Sequence, residues 1–90
     1  DRADAIHPEA GIAATASIEH SIIGAGARID GEVHRSVVLP GASIAAGATV
    51  RSSLVWGHVP ADATLDSCVI GEGVEVPVGD HRGLRLPEPG

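Results

Sequence analysis

Phenylalanine, tyrosine, methionine and lysine are all absent from this sequence of 90 residues, which contains one tryptophan and one cysteine. Without the aromatic side chains that dominate most globular cores, the interior must be lined by aliphatic side chains. A single cysteine excludes a disulfide framework within the chain. The formal net charge of −6 and the lack of a basic cluster argue against nucleic acid and against an anionic membrane surface as partners.

A signal peptide and an apolar run of membrane length are also missing. We therefore expect the cytoplasm as the compartment and no membrane partner. Cys68 occupies a position that holds serine elsewhere in the sequence, and no residue near it would activate a thiol. We interpret it as a small, inward-facing structural residue.

Aliphatic residues recur at intervals of six, five or four residues along most of the chain, and a small residue stands two places before nearly every one of them. The repeated aliphatic residues are Ile6, Ile12, Ile18, Ile23, Ile29, Val33, Val38, Ile44, Val50, Val55, Val59, Leu65, Ile70 and Val76. Residues six apart lie on different sides of an α-helix, so the pattern excludes helices. Alternate residues of a strand share a face, so in short strands this spacing places one small and one large apolar side chain on the inner side.

The intervals group the repeated residues into triples, and each triple predicts one three-sided coil of a solenoid. Successive coils stack as parallel strands, so that backbone groups of one coil pair with those of the next. The predicted columns are Ile23, Val38, Val55 and Ile70; Ile12, Ile29, Ile44, Val59 and Val76; and Ile18, Val33, Val50 and Leu65. The predicted fold is therefore an all-β, three-sided solenoid of about four full coils.

The pattern divides the chain into three parts. Residues 1–5 lack the repeat and are interpreted as a linker, and because the chain opens without methionine we expect an excised or missing N-terminal segment. Residues 6–76 form the predicted solenoid. The regular spacing of aliphatic residues ends at Val76, so residues 77–90 are expected to be a C-terminal tail or a partial cap over the last coil.

One face of the predicted solenoid is apolar on its outer side as well as its inner side. Two faces carry polar outward residues, but the third carries large apolar ones, and a sheet that is apolar on both sides is normally covered on both. We predict that this face is an interface with another subunit or with another domain. Its residues are Ile22, Val37, Leu39, Leu54, Trp56 and Val69.

A second outward row is expected to stack at the turn after the second column. Its members are Glu19, His34, Arg51 and Asp66, with His20, Arg35, Ser52 and Ser67 beside them. Charges of alternating sign in register predict a ladder of salt bridges, each worth a few tenths of a kcal/mol. We interpret this ladder as structural.

Hexads of the form aliphatic, small, two variable, small, variable resemble the left-handed parallel β-helix of the hexapeptide-repeat proteins over residues 6–76. The left-handedness is implied by this resemblance alone, because parallel crossovers are otherwise right-handed. The steps Ser-Ile-Ile-Gly-Ala-Gly-Ala at 21–27, Ser-Val-Val-Leu-Pro-Gly-Ala at 36–42 and Ser-Leu-Val-Trp-Gly at 53–57 are similar to the C-terminal domain of sugar-nucleotide pyrophosphorylases. Mannose-1-phosphate guanylyltransferases and glucose-1-phosphate nucleotidyltransferases are the nearest kinds.

The resemblance implies that this chain is part of a longer parent protein and that another part of that protein carries out the catalysis. In that family an N-terminal domain binds Mg²⁺ and a nucleoside triphosphate and transfers the nucleotide to a sugar 1-phosphate. This chain has no Gly-rich phosphate loop and no lysine. We therefore expect no catalytic, cofactor-binding or metal-binding residue here. Its expected partners are further copies of itself, its own N-terminal catalytic domain, or both.

Three alternatives stay open from the sequence. Hexapeptide-repeat acyltransferases use a histidine as general base, for which His20 or His34 are the candidates and His58 is a weaker third. Carbonic anhydrases of the γ class hold zinc with three histidines, but the histidines here take different positions relative to the repeat. A stand-alone structural β-helix with no enzyme attached also fits.

Overall fold

The computed structural model describes residues 4–87, which form fifteen short strands numbered here in chain order and no helix. They are β1 (Ala5–Ile6), β2 (Gly11–Ile12), β3 (Ser17–Glu19), β4 (Ile22–Ile23), β5 (Arg28–Ile29), β6 (Glu32–His34), β7 (Val37–Val38), β8 (Ser43–Ile44), β9 (Thr49–Arg51), β10 (Leu54–Val55), β11 (His58–Val59), β12 (Ala63–Asp66), β13 (Val69–Ile70), β14 (Gly79–Arg82) and β15 (Arg85–Leu86). A membrane-spanning helix, long and apolar enough to cross, is thus not found within these residues.

The strands belong to three parallel sheets, because every third strand pairs with its counterpart one coil away. Sheet A has the order β1-β4-β7-β10-β13-β15, sheet B the order β2-β5-β8-β11, and sheet C the order β3-β6-β9-β12-β14. The predicted columns are confirmed residue by residue, since Ile23 pairs with Val38, Ile29 with Ile44, and Val33 with Val50. The predicted fold class, a three-sided parallel β-helix, is confirmed.

The core is a narrow prism filled by aliphatic side chains and by the small residues that precede them. Ile29, Val33, Val50, Val55 and Leu65 have no solvent exposure at all. Cys68 is buried among them and has no disulfide partner in the described part of the chain, as expected for a structural thiol. Each coil therefore stabilises its neighbours through one layer of close-packed aliphatic side chains.

The solenoid continues beyond Val76, where the repeat predicted no further strands. β14 pairs with β12, and β15 pairs with β13, which adds a coil and brings the total to about five. The interval of five residues persists from Val76 to His81 and from His81 to Leu86, but a histidine occupies the aliphatic position opposite Leu65. The prediction that strands stop at Val76 was wrong because it followed side-chain type and not spacing. At the other end, Ala5 of the predicted linker lies in β1, while Asp1 to Ala3 lie outside the described residues.

A ladder of hydrogen bonds runs through the corner between sheets C and A. Ser36 Oγ accepts from the Ser53 amide (3.0 Å) and donates to the His34 carbonyl (2.8 Å). Ser21 and Ser53 repeat this pattern one coil below and one coil above, Cys68 follows at the top, and Asp4 Oδ1 accepts from the Ser21 amide at the bottom. These side chains satisfy amides that the corner would otherwise leave buried and unpaired.

The same corner places non-glycine residues in the left-handed backbone region. His20, Arg35, Ser52 and Ser67 all have φ near +50°. A side chain at Cβ disfavours this conformation, which glycine adopts freely.

Replacing Arg35 with glycine is therefore expected to raise the free energy of unfolding by about 0.5 kcal/mol, because relief of the left-handed backbone outweighs the entropy cost of glycine. The matched control is Arg51→Gly, one coil above and in regular strand β9, which is expected to lower it by about 0.5–1 kcal/mol. Denaturant titration followed by far-UV circular dichroism measures both. Equal destabilisation by the two variants would contradict the prediction.

Candidate interaction surface

The six residues predicted as an interface lie together on the outer side of sheet A. Ile22, Val37, Leu54 and Val69 are neighbours in register across β4, β7, β10 and β13. Ile22 is 54% exposed, Leu54 38%, Trp56 40% and Val69 44%, while Val37 and Leu39 are half-buried. Together the six residues are called the apolar stripe.

A second column runs beside the first, two residues further along each strand. It holds Gly24, Leu39, Trp56 and Gly71, aligned by the amide of each residue donating to the coil above. A Cβ at Gly24 would lie 2.7–3.0 Å from Pro40, and one at Gly71 would lie 2.9 Å from Pro87. Glycine is required at these two positions because a proline of the next coil packs directly over each of them.

The stripe has an approximate two-fold pattern. Reading along the solenoid, the first column is Ile, Val, Leu, Val and the second is Gly, Leu, Trp, Gly. Both columns are centred between β7 and β10. If a second copy faced the first with its coil order reversed, large residues would lie against large residues and glycine against glycine. The stripe thus has the approximate two-fold arrangement of residue sizes that an isologous contact between two copies would use.

Sheets B and C are polar on their outer sides, as predicted. The outward column of sheet B contains Arg28, Ser43, His58 and Glu75, and that of sheet C contains Ser17, Glu32, Thr49, Thr64 and Asp80. Large exposed apolar residues are thus concentrated on sheet A, together with Ile6 and Ile12 at the first coil and Val78 between Val76 and β14.

The predicted charge ladder forms in register, but side-chain contacts within 4.0 Å join only part of it. His34 lies 3.5 Å from Glu19 and 3.2 Å from Glu32. Arg51 and Asp66 are register neighbours, and Arg82 follows Asp66 in the last coil. Within residues 4–87, however, no ion pair joins Arg51 to Asp66 at 4.0 Å or less. Register brings the backbones together, but Arg51 is exposed and the Asp66 carboxylate accepts a hydrogen bond from the Ser67 hydroxyl.

Sequence reasoning missed the outward residues of the last coil. Asp80 and Arg82 extend the two columns of sheet C, and they line a shallow open groove there with Thr49, Thr64 and Asp66. His81 was not recognised as an inward residue, although its spacing from Val76 fits the repeat. Following the interval through a non-aliphatic residue would have found all three.

The histidines make separate contacts within the described residues. The partner of the His58 Nδ1 atom is the Ser43 hydroxyl at 2.7 Å, the His7 Nδ1 atom accepts from the Glu9 amide at 3.0 Å, and the His81 ring contacts the Pro77 carbonyl at 2.8 Å. His20 lies at an exposed corner, and His34 is held by two glutamates. Among residues 4–87 no group of three or more His, Cys, Asp or Glu side chains is arranged to hold a metal ion.

A family model described as GlmU-like, C-terminal hexapeptide, matches residues 3–87. The chain belongs to this family.

Two curated relatives match this chain, and both carry the name glucose-1-phosphate adenylyltransferase. The protein of Bacillus cytotoxicus is 31% identical over 71 residues, which cover 77% of this chain and 19% of the relative. The protein of Acetivibrio thermocellus is 33% identical over 81 residues, which cover 88% of this chain and 19% of the relative. The chain thus spans about one fifth of the length of these relatives. No solved structure matches it significantly.

Membership of the GlmU-like C-terminal hexapeptide family confirms the resemblance to the C-terminal domains of sugar-nucleotide pyrophosphorylases. The two relatives are named for glucose 1-phosphate, and the finer prediction of a mannose-1-phosphate guanylyltransferase has no support among them.

Proposed function

We propose that this chain is the non-catalytic C-terminal β-helix of a sugar-1-phosphate nucleotidyltransferase and that its function is to assemble the enzyme through the apolar stripe. Nucleotidyl transfer, with Mg²⁺ and a nucleoside triphosphate, is assigned to the part of the protein outside this chain. The named relatives favour glucose 1-phosphate over mannose 1-phosphate as the sugar substrate. The proposed compartment is the cytoplasm.

The observation that carries the proposal is the solvent exposure of the stripe. Four large apolar side chains, from three coils of sheet A, are each 38–54% exposed, although sheets B and C carry polar residues at the equivalent positions. Burying one such side chain fully is worth about 1.5–3 kcal/mol, so leaving the stripe in water forgoes several kcal/mol of stabilisation. A parallel sheet that is apolar on both faces is normally covered on both.

The occupant that fits is a second copy of this chain. The two-fold pattern of the stripe lets two solenoids face each other with their coil orders reversed, so that Ile22 lies against the second copy's Val69 position and Leu39 against its Trp56 position. Such a contact is closed and forms a dimer. The acidic and basic groups lie mainly on sheets B and C, away from the contact, and therefore do not oppose the pairing of two chains of net charge −6.

The test is the double substitution Leu54→Glu and Trp56→Glu in the full-length protein. Both side chains point outward, so the fold is expected to persist while the assembly dissociates into smaller units, because two buried carboxylates on each copy cannot be paired. Sedimentation velocity measures the mass, and far-UV circular dichroism checks the fold. The matched control is Ser43→Glu with Thr64→Glu, which adds the same charge on sheets B and C.

Three outcomes of this test separate the possibilities. Loss of mass in the stripe variant alone supports the proposal. An unchanged mass in both variants overturns it. The stripe variant could also keep its mass but become sensitive to protease between the catalytic part and the solenoid. That result would identify the catalytic domain as the occupant and overturn the pairing of two copies.

A further inference from the structure

The two ends of the solenoid differ in chemistry. At the C-terminal end the last coil places Gly79 and His81 at inward positions, and the His81 ring is held by the Pro77 carbonyl at 2.8 Å. At the N-terminal end the first coil places three isoleucines at inward positions. These residues, Ile6, Ile12 and Ile18, are called the N-terminal end face.

The N-terminal end face is uncovered within residues 4–87. Ile6 is 42% exposed and Ile12 is 40% exposed, whereas Ile23 and Ile29, directly above them in the same columns, are 0–1% exposed. A solenoid that ends in water needs a polar outer layer on its terminal repeat. In the aliphatic columns the last coil has one polar residue, His81, whereas the first coil has three isoleucines, and Asp4 is the polar residue at the small inward position of this end.

The first coil also directs some of its backbone groups toward the open end of the solenoid. The amides of Ala5, His7, Gly11, Ala13 and Ser17 donate to carbonyls of the second coil. Because successive backbone groups of a strand alternate in direction, the groups of Ile6, Ile12 and Ile18 face the opposite way, toward the open end. The edges of β1, β2 and β3 therefore surround an apolar centre, and the backbone groups of such edges can pair with a further strand.

We propose that the N-terminal end face is a docking site for the polypeptide that precedes Asp1 in the full-length protein, through a segment that is apolar and adds backbone hydrogen bonds to β1, β2 and β3. This inference rests on the proposed place of the chain at the C-terminal end of a longer enzyme. The relatives leave room for that segment, since the matched region is 19% of their length and the family is described as C-terminal.

The occupant is not a further regular coil. One coil takes 15–17 residues in this solenoid, as from Ile6 to Ile23 and from Ile23 to Val38. Counting back five residues from Ile6, the interval between the rungs of sheets C and A in each of the coils that follow, gives Asp1. A carboxylate is costly to bury at an inward position, so a further regular coil is disfavoured and the covering segment is expected from further upstream.

The occupant is also not a second copy of the solenoid. β1 is the edge strand of sheet A, so the chain enters the solenoid at this very end. The preceding residues are tethered next to the face at a high effective concentration, and a second copy would have to displace them.

The first experiment measures amide hydrogen exchange of Ile6, Ile12 and Ile18 in the unaltered full-length protein, by mass spectrometry with electron-transfer fragmentation. Covering by the upstream segment predicts exchange at least about 100-fold slower than for an unprotected amide, independent of protein concentration. Exchange at the unprotected rate overturns the proposal. Protection that disappears on dilution also overturns it, because it identifies a second copy as the occupant.

A second experiment uses Ile12→Arg, with Val78→Arg as the matched control on an aliphatic residue of even greater exposure. The Ile12 variant is expected to speed exchange in residues 5–19 more than 10-fold and to leave the assembly mass unchanged, whereas the Val78 variant changes neither. Equal exchange in both variants contradicts the proposal. The Leu54→Glu, Trp56→Glu variant is assayed by assembly mass and the Ile12→Arg variant by hydrogen exchange, so each proposal can fail independently of the other.

Discussion

Replacing Gly57 with alanine is expected to lower the free energy of unfolding by about 3 kcal/mol, at the upper end of the usual cost of overpacking. A Cβ at Gly57 would overlap the Val74 carbonyl and lie 2.9 Å from the Ile70 methyl group and 3.0 Å from the Gly71 carbonyl. Two of these three groups are backbone of the neighbouring coil, so relief requires moving strands and not rotating a side chain.

The reason for this tight contact is visible in the repeat. Gly57 lies where the interval between aliphatic residues contracts to four, between Val55 and Val59, and Gly31 occupies the equivalent place between Ile29 and Val33. A Cβ at Gly31 would lie 2.5 Å from the Ala45 carbonyl and 2.6 Å from the Ala48 carbonyl. The shortened corner brings the coil above into contact with the backbone itself.

Gly11 provides the control for Gly57. A Cβ at Gly11 would find only the Ala27 carbonyl, at 4.0 Å. Gly11→Ala is therefore expected to raise the free energy of unfolding by about 0.5 kcal/mol, because alanine reduces the freedom of the unfolded chain. Local opening free energies from hydrogen exchange across residues 54–76 and 5–19 measure the two effects. Similar values for both variants would show that the contact at Gly57 relaxes easily.

Replacing Ser36 with alanine is expected to lower the free energy of unfolding by about 2 kcal/mol, because the Ser53 amide is left buried without an acceptor. The His34 carbonyl loses its hydroxyl donor at the same time. Ser36 is 3% exposed, so water does not replace the lost partner. Denaturant titration measures the overall loss, and exchange of the Ser53 amide, expected to become much faster, locates it.

Ser17→Ala is the control for the Ser36 variant. Ser17 is an exposed outward residue of β3, and its replacement is expected to change the free energy of unfolding by less than about 0.5 kcal/mol. If Ser36→Ala were as mild as Ser17→Ala, the hydrogen-bond ladder of the corner would contribute little to stability.

The stripe on sheet A shows how far the candidate site follows from the sequence. All six predicted residues lie on one face and are accessible, because the side chains of a strand alternate and the aliphatic spacing fixes which set points inward. The two-fold pattern of the stripe also depends only on residue order once the columns are known. The prolines that require Gly24 and Gly71 were found only when the coils were stacked.

The class of fold, the three columns, the inward position of Cys68 and the apolar outer face of sheet A could all be predicted from residue order, because they depend on local alternation and spacing. Three other features emerged from the stacked coils. The last coil is held by pairing of β14 with β12 despite His81 at the inward position, and pairing is a property of two strands distant in sequence. Arg51 and Asp66 share a register without an ion pair, and the Asp66 carboxylate accepts a hydrogen bond from the Ser67 hydroxyl. The bare isoleucines of the first coil became visible only when the stacked coils showed where their neighbours are missing.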